Sequence, residues 1–224
     1  MGSIESKIAS LRMKLPENVK IVAVSKTKPL DQILEAYSAG QRLFGENRVQ
    51  ELVNKQLELP KDIEWHMIGH LQSNKVKLIV PFISLIHSVD SFKLLRTIQS
   101  EAKKINRHVG VLLQVHIAQE EHKFGLSKDE LCSFFESEFP DEFPNITFNG
   151  LMGMASYTTD YDQVRAEFRG LSELFSELKE RYGSHVPFFT ELSMGMSGDY
   201  MYAVEEGSTM VRVGSLIFGN RLNV

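Results

Sequence analysis

The sequence predicts a single (β/α)₈ barrel, also called a TIM barrel, in which eight parallel strands alternate with helices. Eight apolar segments of strand length alternate with segments of helical periodicity along the 224 residues. The longer strands are apolar on both faces, which is typical of parallel sheets covered by helices. No linker rich in proline, glycine or serine divides the chain, so residues 1–224 are expected to form one domain. A doubly wound open sheet is the alternative.

The N-terminal half contributes an additional first helix and four βα units. The additional helix is predicted at about 4–15, from its amphipathic pattern. Four residues of buried-strand character predict the first strand, at 19–25, and the next helix lies between Pro29 and Gly40, a typical helix stop. Aromatic and β-branched residues predict the third strand, at 63–69. The other segments of this half are strands at 42–47 and 85–90 and helices at 48–59, 73–80 and 91–105.

The C-terminal half repeats the alternation with longer elements. A nearly unbroken apolar run predicts the fifth strand, at 109–117. The longest helix, at 162–183, has apolar residues at steps of three and four from Val164 to Leu178. The remaining segments are strands at 146–154, 188–195 and 209–219 and helices at 126–137 and 199–207.

Composition and charge narrow the functional class. A formal net charge of −4 gives no general attraction to nucleic acid or to an anionic membrane. No apolar run approaches the roughly 18 residues that span a bilayer, and the first residues do not form a signal peptide. The single cysteine, Cys132, excludes an internal disulfide and suits a reducing compartment, so we expect a cytoplasmic protein.

Polar groups and glycines gather where the predicted strands end, which is where barrel enzymes carry their chemistry. Lys26 directly follows the first strand. The loop after the seventh strand contains Ser197, with Asp199 as the expected cap of the next helix. Gly214 and Ser215 belong to the segment of the eighth strand. In such barrels a phosphate commonly binds between these last two loops, where Gly195, Gly198 and Gly214 allow close approach of backbone.

Lys26, the predicted phosphate loops and Arg212 together favour an aldehyde ligand that carries a phosphate and is bound as a Schiff base. Pyridoxal 5′-phosphate is the commonest such molecule. Arg212 lies within the eighth strand, where it needs an acceptor inside the site. The alternatives are a lysine at the point where the strand reaches water, glycines selected only for turns, and a structural ion pair of Arg212.

Other site classes are not favoured. His66 and His70 have a spacing that presents both rings to one metal only on a helix, and this segment begins in a strand. His116, Glu120 and His122 show no recognised ligand pattern, so no metal is expected. No nucleophile elbow, Walker loop or dinucleotide-binding turn follows a strand.

The chain resembles the pyridoxal phosphate homeostasis proteins, single-domain relatives of the N-terminal barrel of alanine racemases. The resemblance covers about Lys20 to Arg221 and is carried by VAVSKTKP, FGENRVQE, WHMIGHLQSNK, HSVD, GLMGM, LSMGMSGDY and GSTMVRVGSLIFGNR. It implies that Lys26 forms the internal aldimine and that Arg212 faces the pyridine nitrogen. It implies that the phosphate is held by Ser197, Gly214 and Ser215. It also implies that the ring is lined by Asn47, His66 and Met152.

The resemblance also implies a role in cofactor homeostasis or carriage, without an assigned reaction and without catalytic residues. Apoenzymes that need the cofactor are the implied partners. The sequence ends shortly after the eighth predicted strand, so we expect the additional β domain of the racemases to be absent and the protein to be a monomer. The alternatives are a pyridoxal phosphate-dependent amino-acid racemase or lyase, with His66 or Tyr157 as acid or base, and a class I aldolase-like barrel.

Overall fold

The structure, a computed structural model, is a closed barrel of eight parallel strands in chain order. It describes residues 2–119, 124–137 and 142–219. The strands are β1 (Lys20–Val24), β2 (Leu43–Glu46), β3 (Glu64–Met67), β4 (Leu85–Val89), β5 (Val109–Val115), β6 (Ile146–Gly153), β7 (Glu191–Met196) and β8 (Met210–Val213).

Closure of the barrel depends on the pairing of its first and last strands. β1 pairs in parallel with β2 on one side and with β8 on the other, and Val22 lies opposite Arg212. A doubly wound sheet would leave two open edges, whereas here every strand has two neighbours. The predicted barrel is therefore confirmed.

Helices cover the outside of the barrel. They are α1 (Ile4–Lys14), α2 (Leu30–Ser38), α3 (Val49–Glu58), α4 (Val76–Ile79), α5 (Phe92–Lys104), α6 (Lys128–Ser137), α7 (Tyr161–Tyr182), α8 (Tyr200–Glu205) and α9 (Ser215–Phe218). A 3₁₀ turn, Ser73–Lys75, precedes α4. The additional helix α1 begins at Ser3, whose hydroxyl oxygen accepts from the Ser6 N–H at 3.2 Å.

The prediction of one strand over 209–219 is wrong in its second half. β8 ends at Val213. The N–H groups of Ile217 and Phe218 donate to the carbonyl of Gly214, and these hydrogen bonds form the first turn of α9. The apolar residues after Gly214 have strand composition, but both Ile217 and Phe218 are buried as parts of a short helix. The turn at Gly214 leaves Ser215 at the end of the barrel. β7 begins at Glu191, three residues later than predicted.

Two apolar clusters are buried, one between strands and helices and a smaller one inside the barrel. The inner cluster consists of Val22, Leu85, Leu112, Met152 and Met210. Because side chains alternate across a strand, the neighbours of these residues belong to the outer cluster; Ala23 and Val211 are examples. The inner cluster is small, so polar side chains fill part of the interior.

Two features that the described residues lack bear on function. None of their helices combines the length and apolar character that crossing a bilayer requires. Their His, Cys, Asp and Glu side chains form no group of three or more that could hold a metal ion. Glu120, His122 and Arg221, which the sequence analysis named, lie outside the described residues.

Candidate functional site

A cavity of about 430 Å³ lies at the end of the barrel where the strands have their carboxyl termini. Seven residues that were predicted from the sequence line it; one of them, Arg212, lies within β8, and the other six follow the ends of four different strands. These residues are Lys26, Asn47, Ser197, Gly198, Arg212, Gly214 and Ser215. The structure therefore brings together most of the predicted site in one cavity, which we call the mouth cavity.

The alternation of β1 accounts for the position of Lys26. Val22 belongs to the inner cluster, and Val24 and Lys26 line the mouth cavity above it. These residues are two positions apart and share the inward face of the strand. Ser25, between them, points outward and is fully buried.

A buried ionic network holds the backbone beside Lys26 from the outer side. The Lys55 ammonium donates to the Ser25 carbonyl at 2.8 Å and to Glu46 Oε1 at 2.7 Å. The Ser25 hydroxyl donates to the same Glu46 oxygen at 2.6 Å. Burial raises the pKa of Glu46 above its ordinary value, and the Lys55 charge opposes that rise. The network ties the end of β1 to α3.

Thr27 carries an unusual backbone conformation next to Lys26. Its φ is +63°, a left-handed conformation that costs a β-branched residue energy. Its N–H donates to Glu51 Oε1 at 2.6 Å, and that oxygen also accepts from Lys55 at 2.7 Å. The network thus compensates the conformation that directs Lys26 into the cavity.

Lys28 also lines the mouth cavity, but its ammonium has a structural contact. It donates to the carbonyls of Phe218 and Gly219, at 3.2 and 3.1 Å. These carbonyls lie at the end of α9, so Lys28 anchors that helix to the loop after β1.

Arg212 is the buried cation of the site, with only 4% of its surface exposed. Its Nη1 donates to the Ser193 carbonyl and hydroxyl oxygens at 2.8 and 2.6 Å, and Nη2 donates to the Gly153 carbonyl at 2.9 Å. Burial lowers the pKa of Arg212 to about 10, and the charge of Asp199 counteracts this. The guanidinium is therefore charged at neutral pH, and no carboxylate among the described residues forms an ion pair with it.

The loops after β7 and β8 lie against each other at the predicted phosphate position. The Gly214 N–H donates to the Ser197 hydroxyl oxygen at 3.2 Å. Asp199 occupies the first position before α8, but its carboxylate accepts from the Met196 N–H at 2.5 Å instead of capping the helix. Burial raises the pKa of Asp199. Gly195, with φ of +91°, makes the bend that starts this loop.

Two predicted cofactor neighbours lie elsewhere. Met152 is fully buried in the inner cluster below the cavity. His66 lies deeper in the barrel, where its Nδ1 is 2.9 Å from His87 Nε2. Met154 and Ile68 line the mouth cavity instead. Each of these two residues lies two positions after the predicted one, on the same inward face of the chain. A step of two residues along that face moves the side chain along the barrel axis, from the interior to the mouth cavity.

Lys55 is a member of the site region that was not predicted from the sequence. A signal was present, since Val49, Leu52 and Lys55 recur at steps of three on the buried face of α3. A lysine on an apolar helix face needs a buried acceptor. The sequence alone did not identify the acceptor, because Glu46 approaches it only in the folded barrel.

Known proteins resemble this chain over nearly its whole length. The model of the alanine racemase N-terminal domain family matches residues 1–221. The pyridoxal phosphate homeostasis protein of Aquifex aeolicus is 43% identical, and the match covers 90% of this chain and 87% of that protein. The chain belongs to the pyridoxal phosphate homeostasis protein family. Its counterpart in Vibrio alginolyticus is 40% identical, with 93% of this chain and 89% of that protein covered.

A solved structure supports the same family membership. PipY of Synechococcus elongatus, in a structure with PLP bound, has a TM-score of 0.87 and 39% identity to this chain. The superposition covers 97% of this chain and 100% of the PipY chain. The barrel of this pyridoxal phosphate homeostasis family member is therefore of the alanine racemase N-terminal type, as the sequence predicts.

Proposed function

We propose that this protein binds pyridoxal 5′-phosphate covalently through Lys26 and serves cofactor homeostasis, holding the cofactor reversibly. One observation carries the proposal. The mouth cavity collects a lysine, a buried arginine and the hydroxyl and glycine residues of two loops. These groups match the aldehyde, the ring nitrogen and the phosphate of the cofactor respectively. The name of the matched relatives and the PLP bound to PipY support the same ligand.

An unsatisfied polar atom in the mouth cavity fits such a ligand. The Oδ1 of Asn47 is buried without a hydrogen-bond partner among the described residues. Leaving a buried polar group unpaired costs about 1–3 kcal/mol, so a ligand that supplies a partner to Asn47 would be stabilised. Arg212 donates to three oxygen atoms through Nη1 and Nη2, which holds its guanidinium at the wall of the same cavity.

Lys26 is the better candidate than Lys28 for covalent attachment. A lysine amine and an aldehyde condense with loss of water to form a C=N bond, which is the chemistry that this cofactor supplies. The two carbonyls that accept from Lys28 hold its ammonium at the end of α9. Lys26 shares the inward face of Val24, so its side chain approaches the cavity centre from the strand end.

Arg212 favours binding over turnover. A guanidinium beside the ring nitrogen disfavours protonation of that nitrogen, which weakens the ring as an electron sink. The two acid or base candidates for a racemase do not line the cavity: Tyr157 is fully exposed and His66 lies in the barrel interior. We therefore propose carriage, with cofactor passed to apoenzymes, by a one-domain monomer in the cytoplasm.

The test compares Lys26→Ala with the matched variant Lys28→Ala. The purified wild-type protein, loaded with pyridoxal phosphate and reduced with borohydride, should carry the label on the peptide that contains Lys26. Lys28→Ala should still be labelled there, and Lys26→Ala should lose the label while its circular dichroism is unchanged. A label on Lys28, or none on any protein, would contradict the proposal. Amino-acid turnover that Lys26→Ala abolishes would favour the racemase or lyase alternative.

A further inference from the structure

A line of hydrogen-bonded side chains runs through the polar part of the barrel interior, below the mouth cavity. Arg212 Nη1 donates to Ser193 Oγ at 2.6 Å, and Ser193 Oγ is 3.0 Å from His87 Nδ1. His87 Nε2 is 2.9 Å from His66 Nδ1. The four residues project from β8, β7, β4 and β3, and each is at most 4% exposed. We call these four residues the axial line.

The donor-only character of Arg212 sets the direction of every bond in the line. A guanidinium cannot accept, so Ser193 Oγ accepts from it and keeps its own hydrogen for His87 Nδ1. A neutral His87 then carries its proton on Nε2 and donates to His66 Nδ1, so His66 carries its proton on Nε2. In the opposite direction the Ser193 hydroxyl hydrogen would have no acceptor among the described residues, at the cost of one buried hydrogen bond.

Both histidines are neutral, so this direction persists across the physiological pH range. Burial, with a smaller contribution from the charge of Lys20, lowers the pKa of His66 to about 3. Burial also lowers the pKa of His87 well below its ordinary value, with smaller contributions from His66 and Arg212. Hydrogen bonds that point the same way polarise one another, so a change at one end alters the bond at the other.

The far end of the line reaches a second cavity, at the opposite end of the barrel. This cavity, of about 410 Å³, is lined by His66 together with Lys20, Glu64, Asn149 and Glu191. The Lys20 ammonium and Glu191 Oε1, 2.5 Å apart, neutralise each other there. The axial line thus joins the mouth cavity, through Arg212, to a polar cavity on the other side of the protein.

We propose that His87 and His66 are positioning residues, which fix the guanidinium of Arg212 against the cofactor ring through Ser193. The proposal rests on the proposed function, since Arg212 acts on a bound ring. His66 touches neither Arg212 nor Ser193 in the described contacts, so its effect on the cofactor has to travel through His87.

The first experiment uses the wild-type protein without cofactor and records histidine ring nitrogens by NMR. His66 and His87 should both be neutral, with the proton on Nε2, from about pH 5 to about pH 8. A proton on Nδ1 of either buried ring, or titration of either in this range, would overturn the proposed direction. This result does not depend on cofactor binding.

The second experiment follows the cofactor in three variants. His66→Leu removes the acceptor of His87, His66→Gln can restore it through the amide oxygen, and Leu112→Met alters the same interior without touching the line. We expect covalent loading in all three, but a shifted pH dependence of the visible absorbance and about twofold to tenfold faster cofactor release only in His66→Leu. His66→Gln should return towards the wild type.

The outcomes separate the two proposals. Unchanged absorbance and release in His66→Leu, or equal changes in Leu112→Met, would overturn the positioning role. Failure of the wild type to load would instead overturn the proposed function, while the NMR result still decides whether the axial line exists. If His66→Leu does not fold, His66→Phe takes its place, because it removes the same acceptor while keeping a ring in the interior. A line without influence then predicts absorbance and release equal to those of the wild type.

Discussion

Two buried cations at the mouth of the barrel are satisfied in different ways. Lys55 contacts the carboxylates of Glu46 and Glu51 and the Ser25 carbonyl, so its charge is balanced inside the protein. Arg212 contacts only carbonyl and hydroxyl oxygens, and no described carboxylate pairs with it. Buried charges are normally paired, so the difference assigns Lys55 to the scaffold and directs Arg212 towards a ligand.

Removing the Lys55 charge should therefore affect stability more than chemistry. We expect Lys55→Met to lower the free energy of unfolding by about 3–5 kcal/mol, because Glu46 is left buried without its cation. The double variant Glu46→Leu/Lys55→Met should recover most of that loss. Urea unfolding measures the free energy of unfolding of both variants. Lys103→Met, at an exposed position, is the control. Equal stability of Lys55→Met and the wild type would show that the network does not stabilise the end of β1.

Lys26 and Arg212 could be selected as candidates from the sequence, because a lysine directly after an apolar strand and an arginine inside one both require a polar partner. Glu46 was only one polar group among several in the sequence. Its role depends on which face of β2 meets α3, and that is decided by the barrel. Side chains whose partners lie on another element are visible only after the fold is known.

At the scale of elements, the loops after β7 and β8 shape the end of the mouth cavity at which we propose that the phosphate binds. The sequence predicted both strands, but it extended β8 through the apolar residues after Gly214. A short apolar run fits a strand or a buried helical turn equally well, and only the hydrogen bonds to the Gly214 carbonyl distinguish them. Because the chain turns there, Ser215 faces the same cavity as Ser197.

Gly195 is the residue on which this local geometry depends. A Cβ at this position would lie 2.6 Å from the Ala203 Cβ and 2.9 Å from the Tyr200 Cα, and its φ is +91°. We expect Gly195→Ala to destabilise the fold by about 2–4 kcal/mol, from overpacking and backbone strain combined. It should also weaken cofactor affinity, because α8 would shift and carry the Ser197 loop with it.

Thermal unfolding and cofactor titration test this prediction. Gly198→Ala is the matched control in the same loop, because a Cβ there meets no atom within 4 Å. It should leave the unfolding free energy within about 1 kcal/mol of the wild type. If Gly195→Ala and Gly198→Ala have the same stability, the bend at Gly195 is not constrained as the structure indicates.

At the scale of the whole molecule, the barrel interior is divided between an apolar cluster and the axial line. Strand alternation and length predict the barrel, because every strand must be covered on both faces. They do not predict that His66, His87 and Arg212 come together, because each of these residues lies on a different strand. The staggered register of the closed barrel brings these side chains within hydrogen-bond distance, and no short sequence pattern records it.

The buried histidines should make the stability of the whole barrel depend on pH. His66 has a folded-state pKa of about 3, and an unfolded histidine titrates near 6.5. The unfolded state therefore binds more protons as the pH falls below about 6.5, so the folded state loses stability, by up to about 1.4 kcal/mol per pH unit for each histidine. The pKa of His87 is also lowered by folding, so His87 contributes to the same loss of stability at low pH.

Two carboxyl groups act in the opposite direction. Burial raises the pKa values of Glu46 and Asp199, and a raised carboxyl pKa adds stability at low pH that is lost as the pH rises. An unfolded carboxyl group titrates near pH 4, so this loss starts near pH 4 and extends up to the raised pKa of the folded state. Where that range overlaps the range below about pH 6.5, the carboxyl groups oppose the effect of the histidines.

The variant His66→Gln/His87→Gln separates the histidines from the carboxyl groups, since amides do not titrate. We expect its unfolding free energy to be lower than that of the wild type at neutral pH and, from about pH 5 to about pH 6.5, to rise less steeply with pH or to fall. Urea unfolding of the wild type and of the double variant at several pH values gives both slopes. A double variant with the wild-type slope would mean that other groups carry the acid sensitivity. The axial histidines would then have to be charged, or accessible to solvent, in the folded barrel.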